Sequence, residues 1–444
     1  MMHSLPYLIV LLIVGIGLIV VLTTRYKVPA FFALFLTCLV VGLGANMPLD
    51  ETVTVIKDGF GNILKSLGLI IVLGSTLGLV LEHTGSTTVM ATFLLQKMGN
   101  RFAPLAMSIT GFIVGLPIFC DSGYIVLSGL NHSMAKRAGV PISIMSVSLA
   151  TGLYSVHCLI PPHPGSAAAA ATLGADFGKL LLIGIPVAIP SMIVGNLWAI
   201  YSGKQSASFT EEIIVNSVKV KPTHQPSLLV ACLPVFIPIL LIGIRPFLST
   251  KLLTSYSWLK MFSYVGNPII ALLLGIVLAF MAKRNWLKNE LAELLHKATE
   301  KAGEILVIIG MGGAFGAILT TTKIGEHVSQ SIELDSIGLL FPFILTAVLK
   351  TAQGSSTVAI ITAASIVLPL LPALHLNNET GRLVCVLAMG SGSMMISHAN
   401  DAYFWVIAKF SGLDMRTMLR SYSVATILMS ITTFLTVYLL SKVL

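Results

Sequence analysis

A carboxylate stands inside an otherwise apolar stretch at Ile118-Phe-Cys-Asp-Ser-Gly-Tyr124. A charge at bilayer depth costs several kcal/mol unless it faces a cavity or a partner. Asp121 is therefore a candidate proton carrier, the alternative being a structural aspartate that caps a half-helix. A second stretch, Lys350-Thr-Ala-Gln-Gly-Ser-Ser-Thr357, gathers hydroxyls, an amide and a cation around one glycine. Backbone amides and hydroxyls at the start of a half-helix suit an anion. Lys350 can pair with a substrate carboxylate or with Asp121, unless it snorkels to the membrane interface.

Two further stretches cannot be continuous helix. His157-Cys-Leu-Ile-Pro-Pro-His-Pro-Gly-Ser166 carries three prolines and a glycine within ten residues, and proline removes an amide donor while clashing with the preceding turn. Its counterpart, Gly390-Ser-Gly-Ser-Met-Met-Ile-Ser-His-Ala-Asn-Asp401, collects hydroxyls, a histidine, an amide and a carboxylate. In hydrocarbon, non-helical backbone is tolerated only where protein buries it or water reaches it. Interruptions at matching places in two halves point to the substrate site of a secondary transporter. His163 and His398 lie 235 residues apart, one at each interruption. Histidine titrates near physiological pH, which suits proton coupling.

The elements that must position these residues follow from composition. Hydrophobic residues make up 55% of the 444, charged residues 10%, and mean hydropathy is +0.93. A soluble domain has about 25% charged residues, so this is an all-α integral membrane protein. Apolar runs approaching spanning length occur at Leu5–Leu22, Val28–Ala45, Ser66–Leu81, Leu180–Ile200, Ser227–Ile244, Val265–Ala282, Gly303–Thr320 and Tyr422–Leu440. The first lacks a basic leader and reads as an anchor helix rather than a signal peptide. The five cysteines show no paired spacing and read as small buried side chains. Gly310–Gly316 has no following Lys-Ser or Lys-Thr, so no nucleotide site is expected. The formal charge of +9 reflects basic cytoplasmic loops, not a nucleic-acid partner.

Gly74-x-x-x-Gly78-x-x-Leu81 recurs as Gly312-x-x-x-Gly316-x-x-Leu319, an offset of 238 close to that of the histidines. The agreement indicates a duplication. Residues 1–201 form one repeat, 202–226 a cytoplasmic linker and 227–444 the second. Each repeat is expected to hold three crossings, a re-entrant hairpin, a broken crossing and a final crossing. The hairpins fall at about 103–133 and 337–371, the broken helices at about 140–174 and 382–411. That makes about ten crossings, with 17 of the 27 basic residues inside and both termini outside. Five crossings per half make the repeats inverted. Glu82-His83 and Glu326-His327 follow the paired glycine helices and are placed at the membrane interface.

Thr151–Ala170, Gln353–Thr362 and Gly390–Trp405, the last with Ser397-His-Ala-Asn-Asp-Ala-Tyr-Phe-Trp, resemble the gluconate permease family, proton symporters of gluconate and related sugar acids. The resemblance runs the length of the chain. It departs at Cys120-Asp121-Ser122 and at Lys350, and Gln353 adds an amide. These changes keep the acidic and cationic roles but alter the substrate side of the pocket. The resemblance implies an elevator-type carrier in a bacterial inner membrane, a small carboxylate substrate and no cofactor. Such carriers often pair through their scaffold, so a homodimer belongs to the expectation. On this reading Ser122, Gly123, His163, Gly165, Ser355, Ser356, Thr357, His398 and Asn400 line the site. Lys350 faces the substrate carboxylate, and Asp121 and Asp401 carry or gate the proton, with His163 as the alternative carrier. Three readings stay open beside it: a carrier of glycerate, fructuronate or D-serine, coupling to sodium, and an intramembrane enzyme built on the same histidines and aspartates.

Overall fold

Apolar runs without Pro or Gly clusters have one way to satisfy their backbone in a bilayer, and the chain takes it throughout. The computed structural model describes residues 5–205, 226–248, 264–283, 285–323 and 337–443, and the regular elements among them are helical. The first half holds α1 (Leu5–Thr24), α2 (Ala30–Gly44), α3 (Leu49–His83), α4 (Ser86–Met98), α5 (Ala103–Gly115), α6 (Cys120–Ala138), α7 (Ile142–Leu159), α8 (Pro164–Leu173) and α9 (Phe177–Gln205). The second holds α10 (Leu228–Ile244), α11 (Pro268–Phe280), α12 (Lys288–Thr321), α13 (Leu340–Gln353), α14 (Ser356–Val367), α15 (Glu379–Gly392) and α16 (Ala402–Ser411). Last comes α17 (Met415–Leu440), continuous through a π turn at Leu419–Ser423. Seven helices among the described residues are long and apolar enough to cross a membrane.

Among the described residues each half holds, in the same order, a long helix, a pair of short helices and a broken helix. The hairpin expected at 103–133 is α5 and α6, and that at 337–371 is α13 and α14. The broken helices are α7–α8 and α15–α16. Their second segments end alike: Gly174 and Gly412 adopt left-handed φ values of +69° and +71°, the C-terminal conformation that glycine takes without a Cβ clash.

Three features differ from the sequence expectation. The crossings expected at Ser66–Leu81 and Gly303–Thr320 belong to helices of 35 and 34 residues that begin well before the apolar run. At 1.5 Å per residue each is roughly 50 Å long, more than the hydrocarbon thickness. Their polar first halves, with Asp50, Glu51, Lys57 and Asp58 in α3, read as loop by hydropathy alone. Helix α4 was not anticipated. Most of the 202–226 linker, Glu326 and His327 lie outside the described residues.

Helices α3 and α12 cross through glycine. A Cβ on Gly59 would sit 2.7 Å from the Gly313 carbonyl oxygen, and one on Gly313 would sit 2.7 Å from the Gly59 carbonyl oxygen. Small residues at such crossings let backbones approach when lipid gives no hydrophobic drive. The repeated glycine pairs are seats for the interrupted elements. Gly74 faces Pro162, and Gly78 lies against the Pro117 carbonyl. Gly312 and Gly316 face Ile361 and Ser365 of α14, where Ser365 Oγ donates to the Gly312 carbonyl at 2.6 Å. At the centre stands α7, buried along its length except at Ile142 and His157.

Gly313→Leu is expected to force α3 and α12 apart and cost at least about 2 kcal/mol of overpacking, read as a lower thermal midpoint in detergent. Gly68→Ala, where a Cβ meets open space, is expected to leave that midpoint unchanged or slightly raised.

Candidate functional site

In the first half, Leu116-Pro-Ile-Phe119 turns α5 into α6, and Ile160-Pro-Pro-His163 separates α7 from α8. His163 joins the two interruptions: its Nε2 donates to the Gly115 carbonyl at the end of α5, at 2.8 Å. A carbonyl partner makes Nε2 the protonated nitrogen. Phe119 packs edge-on to His163 at 6.2 Å between centroids, and His157 lies 5.0 Å from His163 on the other side. A crevice is lined here by Gly74 and Ser75 of α3 with Pro117, Phe119, Pro162 and His163. Neither α6 nor α8 has a side chain capping its first turn.

The second half repeats the arrangement. His398 Nε2 donates to the Thr351 carbonyl at 3.1 Å, and Asn400 Nδ2 donates to Thr351 and Ala352 at 2.8 and 3.1 Å. These are last-turn carbonyls of α13, which have no partner within their own helix. Gly354 follows at φ +82°, and a Cβ there would lie 2.1 Å from the Asn400 carbonyl oxygen. Lys350, fully buried, donates to the Gly354 carbonyl and to Asp401 Oδ2, each at 2.7 Å. Ser397 Oγ donates to the same Oδ2 at 2.5 Å, while Asp401 Oδ1 caps Tyr403 N at 3.0 Å. Ser355 Oγ caps Val358 N at 3.3 Å. The π turn of α17 holds the second break: Ser423 donates to the Ser397 carbonyl, and Thr426 Oγ1 accepts from Ser397 N at 3.1 Å.

The halves meet crosswise. Gly165, in the first turn of α8, approaches the Thr357 backbone of α14. Tyr124 of α6 and Tyr403 of α16 lie edge to face at 6.2 Å. Tyr154 donates to the Ser393 carbonyl at 3.1 Å and Tyr403 to the Ala150 carbonyl at 3.2 Å. Four helix N-termini, those of α6, α8, α14 and α16, thus come together two by two.

The description "GntP family permease" matches residues 7–443. The chain belongs to the GntP permease family. A gluconate permease of Pseudomonas aeruginosa is 32% identical over 100% of this chain and 99% of its own. The Gnt-II system L-idonate transporter of Escherichia coli is 31% identical over 98% and 99%. Among solved structures, the Alcanivorax borkumensis YdaH transporter superposes with a TM-score of 0.56 at 16% identity, covering 89% of each chain. Neisseria gonorrhoeae MtrF gives 0.58 at 14% identity, covering 87% of this chain and 83% of its own. The permease is therefore a multi-pass membrane transporter, and the intramembrane-enzyme reading falls away.

Apart from Lys350, in the last turn of α13, the candidate site residues lie at one of the four interruptions or in the first turn after it. Asp121, Ser122 and Gly123 open α6; His163 and Gly165 open α8; Ser355, Ser356 and Thr357 open α14; His398, Asn400 and Asp401 close the second break. The partner of Lys350 in the permease is Asp401, not Asp121 or an open pocket. Lys301 of α12, not among the candidate site residues, donates from its Nζ to Ser122 Oγ at 2.8 Å and lies 4.3 Å from the Phe119 ring centroid. Nothing in the chain spacing relates Lys301 to Ser122. Ser397, Tyr154 and Tyr403 were likewise missed, although Ser397 stood within the polar stretch.

Asp401→Asn keeps a capping oxygen but strands the Lys350 cation, an expected cost of about 3–5 kcal/mol. Added Lys350→Met is expected to recover most of that loss in the thermal midpoint, whereas additive losses would show that the two groups do not act as a pair.

Proposed function

We propose that this permease carries a small sugar acid, of the gluconate and L-idonate class, inward across a bacterial inner membrane together with a proton. The observation that carries the reading is the meeting of four helix starts at two crosswise contacts. Helix N-termini present unpaired N–H groups and a partial positive charge to an anion. The uncapped starts of α6 and α8 suit the substrate carboxylate, and hydroxyls at Ser122, Ser355, Ser356 and Thr357 suit a polyhydroxylated chain. Several buried polar atoms around the interruptions have no protein partner: both amide atoms of Gln353, Asn400 Oδ1 and His157 Nδ1. Leaving such atoms unmet costs about 1–3 kcal/mol each, and substrate hydroxyls can complete them.

On this reading Asp121 is the proton carrier. Lys350 and Asp401 act as a neutral buried pair that ties the second tip to the second break. His163 serves as a clamp through Gly115 rather than as the carrier. Inverted repeats, elevator-type movement and a scaffold homodimer belong to the same proposal.

The test is uptake of labelled gluconate into proteoliposomes under an imposed inward proton gradient, with and without sodium, with glycerate, fructuronate and D-serine as competitors. Proton-driven, sodium-independent uptake is expected. Asp121→Asn is expected to abolish gradient-driven accumulation while sparing gluconate exchange. Intact accumulation in that variant, or uptake that follows sodium alone, would overturn the coupling assignment.

A further inference from the structure

Lys301 is half-buried on α12 with its ammonium against the tip of the first hairpin, bonded to Ser122 and lying over the Phe119 ring. Its charge acts on Asp121, on Glu82 of α3 and on Glu304 in its own helix. Asp121 also feels Asp401 from α16, and His157 of α7 feels Lys301. The two other cations nearest this arrangement are already engaged. Lys350 is enclosed by Asp401 and the Gly354 carbonyl, and Lys297 pairs with Glu293 on the exposed face of α12. Ser122 and Phe119 flank the uncapped start of α6, so the Lys301 ammonium and the first N–H groups of that helix face the same tip.

We propose that Lys301 is the cation that receives the substrate carboxylate, and that its passage from Asp121 to the substrate obliges Asp121 to take up a proton. The proposal rests on the sugar-acid reading and supplies its coupling step. In the empty site the Lys301 ammonium is bonded to Ser122, next in sequence to Asp121, with Glu82 and Glu304 also within its field. An arriving monoanion would add a further carboxylate to this one cation in a poorly hydrated site, where like charges favour protonation of one of the acids. A proton from bulk water then joins an Asp121 carboxyl oxygen, and no other bond forms or breaks. The loaded site, with neutral Asp121 and the Lys301–substrate pair, carries the same net charge as the empty one. One proton therefore moves with each monoanion.

The experiment is titration calorimetry of gluconate into the full chain in detergent, repeated in buffers of different ionisation heat so that proton uptake is read directly. The unsubstituted permease is expected to take up about one proton per gluconate bound. Lys301→Gln is expected to weaken gluconate binding on the order of 100-fold at an unchanged thermal midpoint. Lys301→Arg should restore binding to within roughly tenfold, since guanidinium also pairs with carboxylate. Lys297→Gln should match the unsubstituted protein. Asp121→Asn should bind gluconate with no proton taken up, while Glu82→Gln keeps the uptake. Unaltered affinity in Lys301→Gln, or proton uptake that survives Asp121→Asn and vanishes in Glu82→Gln, overturns the assignment. So does a lowered midpoint in Lys301→Gln with no restoration by arginine, which would make Lys301 a packing residue. If the unsubstituted permease binds neither gluconate nor another sugar acid, the sugar-acid reading itself fails and the assignment with it; binding that ignores Lys301 defeats the assignment alone.

Discussion

A helix that stops inside a bilayer leaves carbonyls at its end and amides at the start of the next with no water to receive them. This chain stops four such helices close together, and its central architecture answers that problem. Each break supplies a histidine to the carbonyls that its neighbouring hairpin leaves open, His163 to Gly115 and His398 to Thr351. Donors and acceptors keep nearly the same offset in the two halves, 235 and 236 residues. The two halves thus use the same physical solution at matching places.

The two halves then diverge in how they treat the amides. In the second half Ser355 and Asp401 cap the helices that follow, and Asp401 also neutralises Lys350. A buried ion pair of this kind adds little net stability, but removing one partner is costly. It therefore acts as a fastener between tip and break. In the first half α6 and α8 start without side-chain caps, and Ser122, next to Asp121, accepts from the Lys301 ammonium of α12. The two helix starts of the second half are capped and those of the first are not, while Gln353 and Asn400 Oδ1 in the second half and His157 Nδ1 in the first have no protein partner.

Much of this was legible in the chain, because the signals were local. Prolines at 161, 162 and 164 and the polar run from Gly390 to Asp401 cannot be helical in hydrocarbon, so both broken helices and the matched histidines could be placed. Helix starts were harder. The first halves of α3 and α12 are polar, and that of α3 packs through Gly59 and Phe60 on the apolar second half of α12 at Gly310 and Gly313. Pair identities were not legible at all. Lys350 could be opposed to a carboxylate from its burial, but Asp401 and Asp121 were equal candidates until the second break was seen to wrap the second tip. Lys301 was hidden for the opposite reason. It lies just before the apolar run Gly303–Thr320, where a lysine is ordinarily a loop anchor, and only the length of α12 brings it beside Ser122.

The distribution of bond types says which parts can move together. Within each half, tip and break are held by directional bonds from histidine, asparagine or lysine, which would break if one shifted past the other. Contacts of α3 and α12 with the hairpins and the first break are of another kind: Gly74 against Pro162, Gly78 against the Pro117 backbone, Gly312 and Gly316 against Ile361 and Ser365. Glycine surfaces offer close approach without interlocking side chains, and dispersion contacts re-form after a displacement whereas a stranded buried polar group does not. Among the described residues two hydrogen bonds cross that boundary, Ser365 to Gly312 and Lys301 to Ser122. The first involves a neutral hydroxyl with a second acceptor in its own helix, the Ile361 carbonyl, so it can be released at little cost. The second is the charged one. If the tips move past the paired long helices as proposed, whatever occupies the Lys301 ammonium would govern that movement, and the proposed recognition of the anion and control of the motion would rest on the same side chain.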